Sequence, residues 1–95
     1  MFRAKSVYSS PTTKIVKIEG MVKEADIEPW SDLMAELSKS STTELVLDFS
    51  SVGFLDPRAV NVLRQHITER MYLLNCSSLV RNMLQTTGLR RNVLD

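Results

Sequence analysis

The chain has 95 residues, of which 43% are hydrophobic and 24% charged, and its formal net charge is +1. This length predicts one domain over residues 1–95, and the composition is typical of an ordinary soluble globular protein rather than a disordered one. The near-neutral charge argues against nucleic acid or an anionic membrane surface as a partner, and no apolar stretch is long enough to insert into a bilayer.

Two strands joined by a polar turn are predicted first. Residues 2–8 form the first strand, and Ser9 to Thr13 has the composition of a turn. Apolar and polar side chains then alternate from Lys14 to Glu19, and Gly20 is expected to close this second strand. The pair is predicted to be a β-hairpin.

A helix is predicted to open near Asp26, with Pro29 tolerated in its first turn. Its apolar residues recur at steps of three and four, which predicts one buried stripe: Ile27, Trp30, Leu33, Met34 and Leu37. We expect Trp30 to anchor the core rather than to stack on a ligand. A polar break follows over residues 38–43.

The strand from Glu44 to Ser50 has the clearest pattern. Leu45, Leu47 and Phe49 share one face, and more polar residues share the other. A strand covered by helices on both faces would be apolar throughout, so we expect one covered face and one largely hydrated face.

A second helix is predicted to begin after Asp56, an N-cap residue, with Pro57 at its first position. Its inward stripe is expected to comprise Ala59, Val60, Leu63 and Ile67. The cation of Arg58 opposes the helix dipole in the first turn. That placement indicates a salt bridge to Asp56 or Asp48, contact with an acidic group on a partner, or simply a solvated side chain.

The third core strand is predicted over residues 71–76, and a third helix begins at Ser77 or Ser78 and stops before Gly88. Its inward residues are expected to be Leu79, Val80, Met83 and Leu84. The order ββαβαβα predicts an α/β fold with a mixed four-stranded sheet and helices mainly on one face.

Nothing in the sequence predicts catalysis, a metal site or a cofactor. His66 has no Cys, Asp or Glu at ligand spacing, so we expect a structural histidine. Cys76 is the sole cysteine, which excludes an internal disulfide and fits a reducing compartment. With no apolar signal segment near Met1, the predicted location is the cytoplasm.

Residues 44–56, ELVLDFSSVGFLD, resemble the signature of the STAS family, the sulphate-transporter and anti-sigma-factor-antagonist domain. In that signature an apolar strand ends in Asp and a small polar pair, and an F-hydrophobic-D segment then leads into a helix. Residues 75–89 are similar to the last helix of that family and its closing Thr-Gly-Leu, and residues 16–20 to its strand that ends in Gly. The resemblance implies a protein-binding module that is not an enzyme.

Two positions depart from the pattern of the family's partner-switching antagonists. Those proteins carry a phosphorylated Ser or Thr after the Asp, where this chain has Pro57, and commonly an acidic residue where it has Lys23. Proline has no hydroxyl, so phosphorylation at this position is chemically excluded. Ser50 and Ser51 are candidate surrogate sites, although turn chemistry also accounts for them.

The resemblance therefore implies docking of a protein partner without a phospho-switch. The expected partner is an anti-sigma factor with a histidine-kinase-like fold, or a larger signalling assembly. Docking is expected to centre on a few residues at the start of the second helix and in the Gly20 loop: Lys23, Asp56, Pro57, Arg58 and Asn61. The alternatives are a STAS subunit that braces an ABC-type transport complex and a sensor that binds a small ligand. The sequence leaves the oligomeric state open.

Overall fold

A computed structural model describes residues 1–39 and 43–94, so the middle of the polar break predicted at 38–43 lies outside the described residues. Two 3₁₀ turns, Glu24–Asp26 and Arg90–Asn92, accompany the regular elements. The strands and helices, in chain order, are β1 Phe2–Ser9, β2 Thr13–Val22, α1 Ile27–Leu37, β3 Glu44–Leu55, α2 Pro57–His66, β4 Met71–Leu74, α3 Ser78–Thr86 and β5 Val93–Leu94.

The strands form one mixed sheet in the order β1-β2-β3-β4-β5. β1 is antiparallel to β2, and each further neighbouring pair is parallel. The prediction of four strands was therefore wrong by one. β5 contributes only Val93 and Leu94, which pair with Leu73 and Leu74. Two residues are too few to show an alternating pattern, so no periodicity predicts this strand.

The two central strands are longer than predicted. β2 continues through Gly20 to Val22, and β3 continues past Ser50 to Leu55. Their pairing register shifts twice, after Lys17 and again after Gly20. Such irregularities break the two-residue alternation, which is why the pattern in the sequence stops before the strands do.

One face of the sheet carries the core, as predicted. The buried residues of β3 each have 5% or less of their surface exposed, and they are Leu45, Leu47, Phe49, Val52 and Leu55. They join the buried residues of β2, β4 and the three helices in one cluster. The opposite face of β3 is exposed or half-buried throughout.

Trp30 joins α1 to α2 inside this core. Its side chain is fully buried, and its indole N–H donates to the carbonyl oxygen of Ala59 at 3.0 Å. The ring of Phe2 packs edge-on against it, with 5.2 Å between ring centroids. The prediction of a core role for Trp30 is confirmed.

The inward stripe of α3 differs from the prediction at one position. Leu79 is 57% exposed, whereas Val80 and Leu84 are fully buried and Met83 is half-buried. Ser77 is the N-cap, because its side chain accepts the N–H of Val80. The buried stripe is centred on positions 80 and 84, and Leu79 lies at its solvent side.

Cys76 is buried, with 6% of its surface exposed. It falls just outside β4, which ends at Leu74 because the next residue, Asn75, takes a left-handed conformation with φ of 60°. Ile67 also lies just outside its predicted element, because α2 ends at His66. Its side chain is half-buried.

Position 20 requires a glycine, because the backbone of Met1 and Phe2 lies close beside it. The φ of Gly20 is +104°, and a Cβ atom there would lie 2.6 Å from the carbonyl oxygen of Met1. We expect Gly20→Ala to lower the free energy of unfolding by about 1–2 kcal/mol, because an L side chain is strained at this φ. Chemical denaturation followed by circular dichroism measures the change.

Gly53→Ala is the matched control. The nearest atom to a Cβ at position 53 is the Cγ of Met21 at 3.9 Å, which is an ordinary contact. This variant should be neutral or slightly stabilising, by up to about 1 kcal/mol. An equal loss in both variants would contradict the assigned role of Gly20.

Candidate functional site

The carboxyl ends of β2 and β3 meet the start of α2 at one corner of the molecule. The two strands are parallel neighbours, and Val22 pairs with Leu55 at their last register position. The backbone N–H of Asp56 then donates to the carbonyl oxygen of Val22 at 2.7 Å. Binding sites of parallel sheets commonly lie at this end of the strands.

Asp56 and Pro57 start the helix as predicted. A carboxylate oxygen of Asp56 accepts the backbone N–H of Arg58 at 2.8 Å, and Pro57 occupies the first helical position. The backbone of Asp56 is extended, with φ of −61° and ψ of 144°, so the chain turns sharply from strand to helix. Because Pro57 has no N–H to satisfy, it fits this position without loss of a hydrogen bond.

Arg58 is paired with a residue that the sequence did not indicate. Its Nη1 donates to Oε1 of Glu24 at 2.7 Å, so the expected salt bridge to Asp56 or Asp48 was wrong. Glu24 lies 34 positions earlier, in the 3₁₀ turn after β2, and only the fold brings it to the corner. Both side chains are mostly exposed, at 65% and 71%, so the pair adds little to stability.

Lys23 lies at the same corner, directly after Val22. Its backbone N–H donates to Oδ2 of Asp26 at 2.9 Å, which fixes the turn that leads into α1. This hydrogen bond is the main cause of the lowered pKa of Asp26, followed in effect by the nearby N-terminal ammonium. The ammonium side chain of Lys23 is exposed.

Asn61 is one turn further along α2 than Arg58. Its side-chain oxygen accepts a hydrogen bond from Nη2 of Arg64 at 2.8 Å. The structure therefore brings all the predicted docking residues to one region, with Asn61 on the exposed side of the helix. We call Lys23, Asp56, Pro57, Arg58 and Asn61 the α2 corner.

A groove runs from the α2 corner along α2 toward the end of α3. Its volume is about 550 Å³, and it is lined by Pro57, Arg58, Asn61, Arg64, Thr86 and Thr87. The last three residues were not predicted from the sequence. They come from separate helices, and only the packing of α3 beside α2 places them on one groove.

Ser50 and Ser51 lie on the exposed side of β3 rather than in a turn, so the explanation by turn chemistry was wrong. Ser51 pairs with Glu19 of β2. Ser51 lies five positions before Asp56, which corresponds to roughly 17 Å along an extended strand. Their hydroxyls are therefore far from the α2 corner, and their phosphorylation stays a prediction.

Asp48 also faces the open side of the sheet, away from Arg58. Its Oδ1 accepts the backbone N–H of Ser50 at 2.9 Å and the side-chain amide of Asn75 at 3.4 Å. Burial by itself raises the pKa of Asp48, but hydrogen bonds from Ser50 and Asn75 and the charge of Lys17 outweigh it, so the pKa is lowered. This carboxylate serves the local structure of the sheet.

Three further features of the described residues bear on function: the grouping of possible metal ligands, the histidine, and the length and polarity of the helices. No three carboxylate, imidazole or thiol groups lie close enough within residues 1–39 and 43–94 to share a metal ion. Nδ1 of His66 lies 3.1 Å from the carbonyl oxygen of Val62 in its own helix, which fits the predicted structural role. None of the described helices has the length and apolar character needed to cross a membrane.

Comparison with known proteins gives matches in structure alone. No protein-family model and no curated protein sequence matches the chain. The anti-sigma factor antagonist SpoIIAA in its unphosphorylated form is similar, with a TM-score of 0.72 at 19% identity, over 98% of this chain and 87% of that protein. An anti-sigma-factor antagonist STAS domain from Rhodobacter sphaeroides matches over 78% of this chain and 86% of its own, with a TM-score of 0.53 at 23% identity.

A transporter shows the same fold within a much larger protein. The murine anion transporter Slc26a9 is similar over 90% of this chain but only 16% of its own length, with a TM-score of 0.70 at 22% identity. These likenesses confirm the resemblance stated for the sequence at the level of fold. The chain folds as one α/β domain of the STAS type.

Proposed function

We propose that this chain, which has the STAS fold of the anti-sigma factor antagonist SpoIIAA, is a docking module that binds a regulatory protein through the α2 corner. The corner is the carrying observation: a backbone turn fixed by two hydrogen bonds of Asp56 presents exposed side chains of Pro57, Arg58 and Lys23. Because the turn is already fixed, this chain loses little conformational entropy there on binding. The module acts by occupying its partner and so releasing whatever that partner otherwise holds.

The proposed module has no phosphate switch at its corner. Pro57 stands at the first position of α2 and offers no hydroxyl. Its fixed φ and the cap from Asp56 to the Arg58 N–H hold one shape of the helix start. Binding is then controlled by the amount of the protein, or by the state of its partner.

The expected partner class is an anti-sigma factor with a kinase-like fold or a larger signalling assembly, and the expected setting is the cytoplasm. A second candidate is supported by the likeness to an anion transporter. That likeness extends only to the fold of one part of the transporter; the candidate itself is a STAS subunit that braces an ABC-type transport complex beside its ATPase. The protein that co-purifies in stoichiometric amount, a kinase-like regulator or an ATPase, separates the two.

Arg58→Glu should weaken partner binding at least about tenfold, because loss of an interface arginine commonly costs more than 1 kcal/mol. The measurement is a quantitative pull-down from the native cells, followed by titration of the captured protein. The variant should remain folded, since the pair of Arg58 with Glu24 is exposed and a glutamate in the first helical turn suits the helix dipole.

Arg70→Glu is the matched control. Arg70 is an exposed arginine whose carbonyl oxygen accepts the N–H of Leu45, so it lies near the amino-terminal end of β3, opposite the corner. It should bind the same partners as the wild type. If Arg58→Glu also retains every specific partner at unchanged affinity, the α2 corner is not the docking surface.

Protein isolated from its native cells should carry no phosphate at the start of α2. Phosphopeptide mass spectrometry of residues 44–64 makes the measurement, with Pro57→Ser as the variant that restores an acceptor hydroxyl. Phosphate that depends on a co-purifying kinase and is found on Ser50 or Ser51 of the wild type would overturn the absence of a switch.

A further inference from the structure

We propose that the groove between α2 and α3 binds an acidic amphipathic helix of the protein partner. The inference rests on the proposed docking function and names the chemistry of the segment that docks. We call it the α2–α3 groove, lined by Pro57, Arg58, Asn61, Arg64, Thr86 and Thr87.

The groove has an apolar floor beneath a polar rim. An adjoining pocket of about 210 Å³ shares Pro57, Thr86 and Thr87 with the groove and is also lined by Val60 and Met83. Val60 is buried and Met83 half-buried, so the floor offers a small hydrophobic surface. An apolar side chain from a docked helix can occupy this floor while its neighbours contact the rim.

The rim is cationic. Arg58 and Arg64 are both exposed, and no carboxylate is among the described residues that line the groove. Arg58 gives one hydrogen bond to Glu24, and Arg64 gives one to the neutral side chain of Asn61. Each guanidinium has five N–H donors, so both retain donors for a carboxylate from outside.

The wider charge distribution favours the same partner. Between residues 57 and 94 the sequence has six arginines and one carboxylate, Glu69. Residues 24–37 hold five carboxylates and no basic residue. The net charge is only +1 because an acidic segment around α1 offsets a basic half around α2 and α3. Two arginines of this basic half, Arg58 and Arg64, line the groove, and their positive charge attracts an acidic partner there.

The spacing of the two arginines fits a helix rather than a single small anion. Arg58 and Arg64 are six residues apart on α2, which corresponds to about 9 Å along its axis. A helix laid along the groove matches this distance with carboxylates about seven residues apart on one face, about 10 Å along its axis, and an apolar residue three or four positions from each.

A phosphate group fits the groove less well. Pro57 supplies no N–H, and the N–H of Arg58 is already accepted by the carboxylate of Asp56. The hydroxyls of Thr86 and Thr87 donate to carbonyl oxygens of the last turn of α3. The backbone and hydroxyl donors that commonly hold phosphate are therefore engaged.

The acidic segment of a second copy is not the expected occupant. The carboxylates of residues 24–37 do not line the α2–α3 groove, although Glu24 pairs with Arg58 at its edge, so binding of this segment to the groove of a second copy is head-to-tail. Such a contact adds copies without limit unless it closes into a ring.

The test is a titration of ¹⁵N-labelled protein with two synthetic amphipathic helices of the same length. One carries leucine and glutamate, and the other carries leucine and lysine at the same positions. The leucine–glutamate peptide should shift amides of residues 58–64 and 83–87 and bind at least about tenfold more tightly than the other. Added salt should weaken this binding.

Arg64→Gln should weaken binding of the leucine–glutamate peptide by about tenfold, whereas Arg70→Gln, the exposed control, should leave it unchanged. Equal binding of both peptides, or amide shifts outside the groove, would overturn the inference. So would the same shifts produced by inorganic phosphate or ATP at millimolar concentration, or self-association that Arg64→Gln abolishes.

The cellular partner separates failure of this inference from failure of the proposed function. If Arg58→Glu loses the partner while Arg64→Gln keeps it and the groove ignores the acidic peptide, docking at the corner stands and the groove is wrongly assigned. If the acidic peptide occupies the groove but Arg58→Glu and Arg64→Gln both retain every cellular partner, the groove stands and the proposed function fails.

Discussion

Two of the hydrogen bonds of Asp56 position the surface through which we propose that this molecule binds a partner. The backbone N–H of Asp56 donates to the carbonyl oxygen of Val22 at the end of β2, and its carboxylate accepts the N–H of Arg58 at the start of α2. One residue thus joins two parallel strands to a helix and fixes the direction in which that helix leaves the sheet. The α2 corner, the ion pair of Arg58 with Glu24 and the groove beside α3 all take their positions from that direction.

The helices cover one face of the sheet. This fold alone does not determine which partner binds, so the proposed preference rests on the charges at the surface. A fold of this type is shared with an anti-sigma factor antagonist and with part of an anion transporter, so it does not by itself select a partner. The features that we propose to be selective are local: Pro57, which offers no hydroxyl at the first position of α2, and arginines along the exposed side of α2. Together they favour a docking surface of constant shape with a preference for acidic groups.

Local patterns in the sequence predicted the elements well and the contacts between them poorly. Alternation identified the covered face of β3, and the Asp56-Pro57 pair identified the start of α2, because both signals involve neighbouring residues. β5 was not predicted because two residues are too few to show an alternation. The second half of β3 was not predicted because register shifts interrupt its alternation. The partner of Arg58 and the groove residues Arg64, Thr86 and Thr87 depend on how distant elements pack, which no local pattern encodes.

Site-specific photo-crosslinking in the native cells tests the central claim most directly. A photoreactive residue at position 24, on the rim of the α2 corner, is compared with one at position 5 on β1, whose side chain is also exposed. The account predicts that position 24 captures one specific protein and that position 5 does not. Capture of the same protein from position 5 alone would place the partner on the sheet and contradict the account.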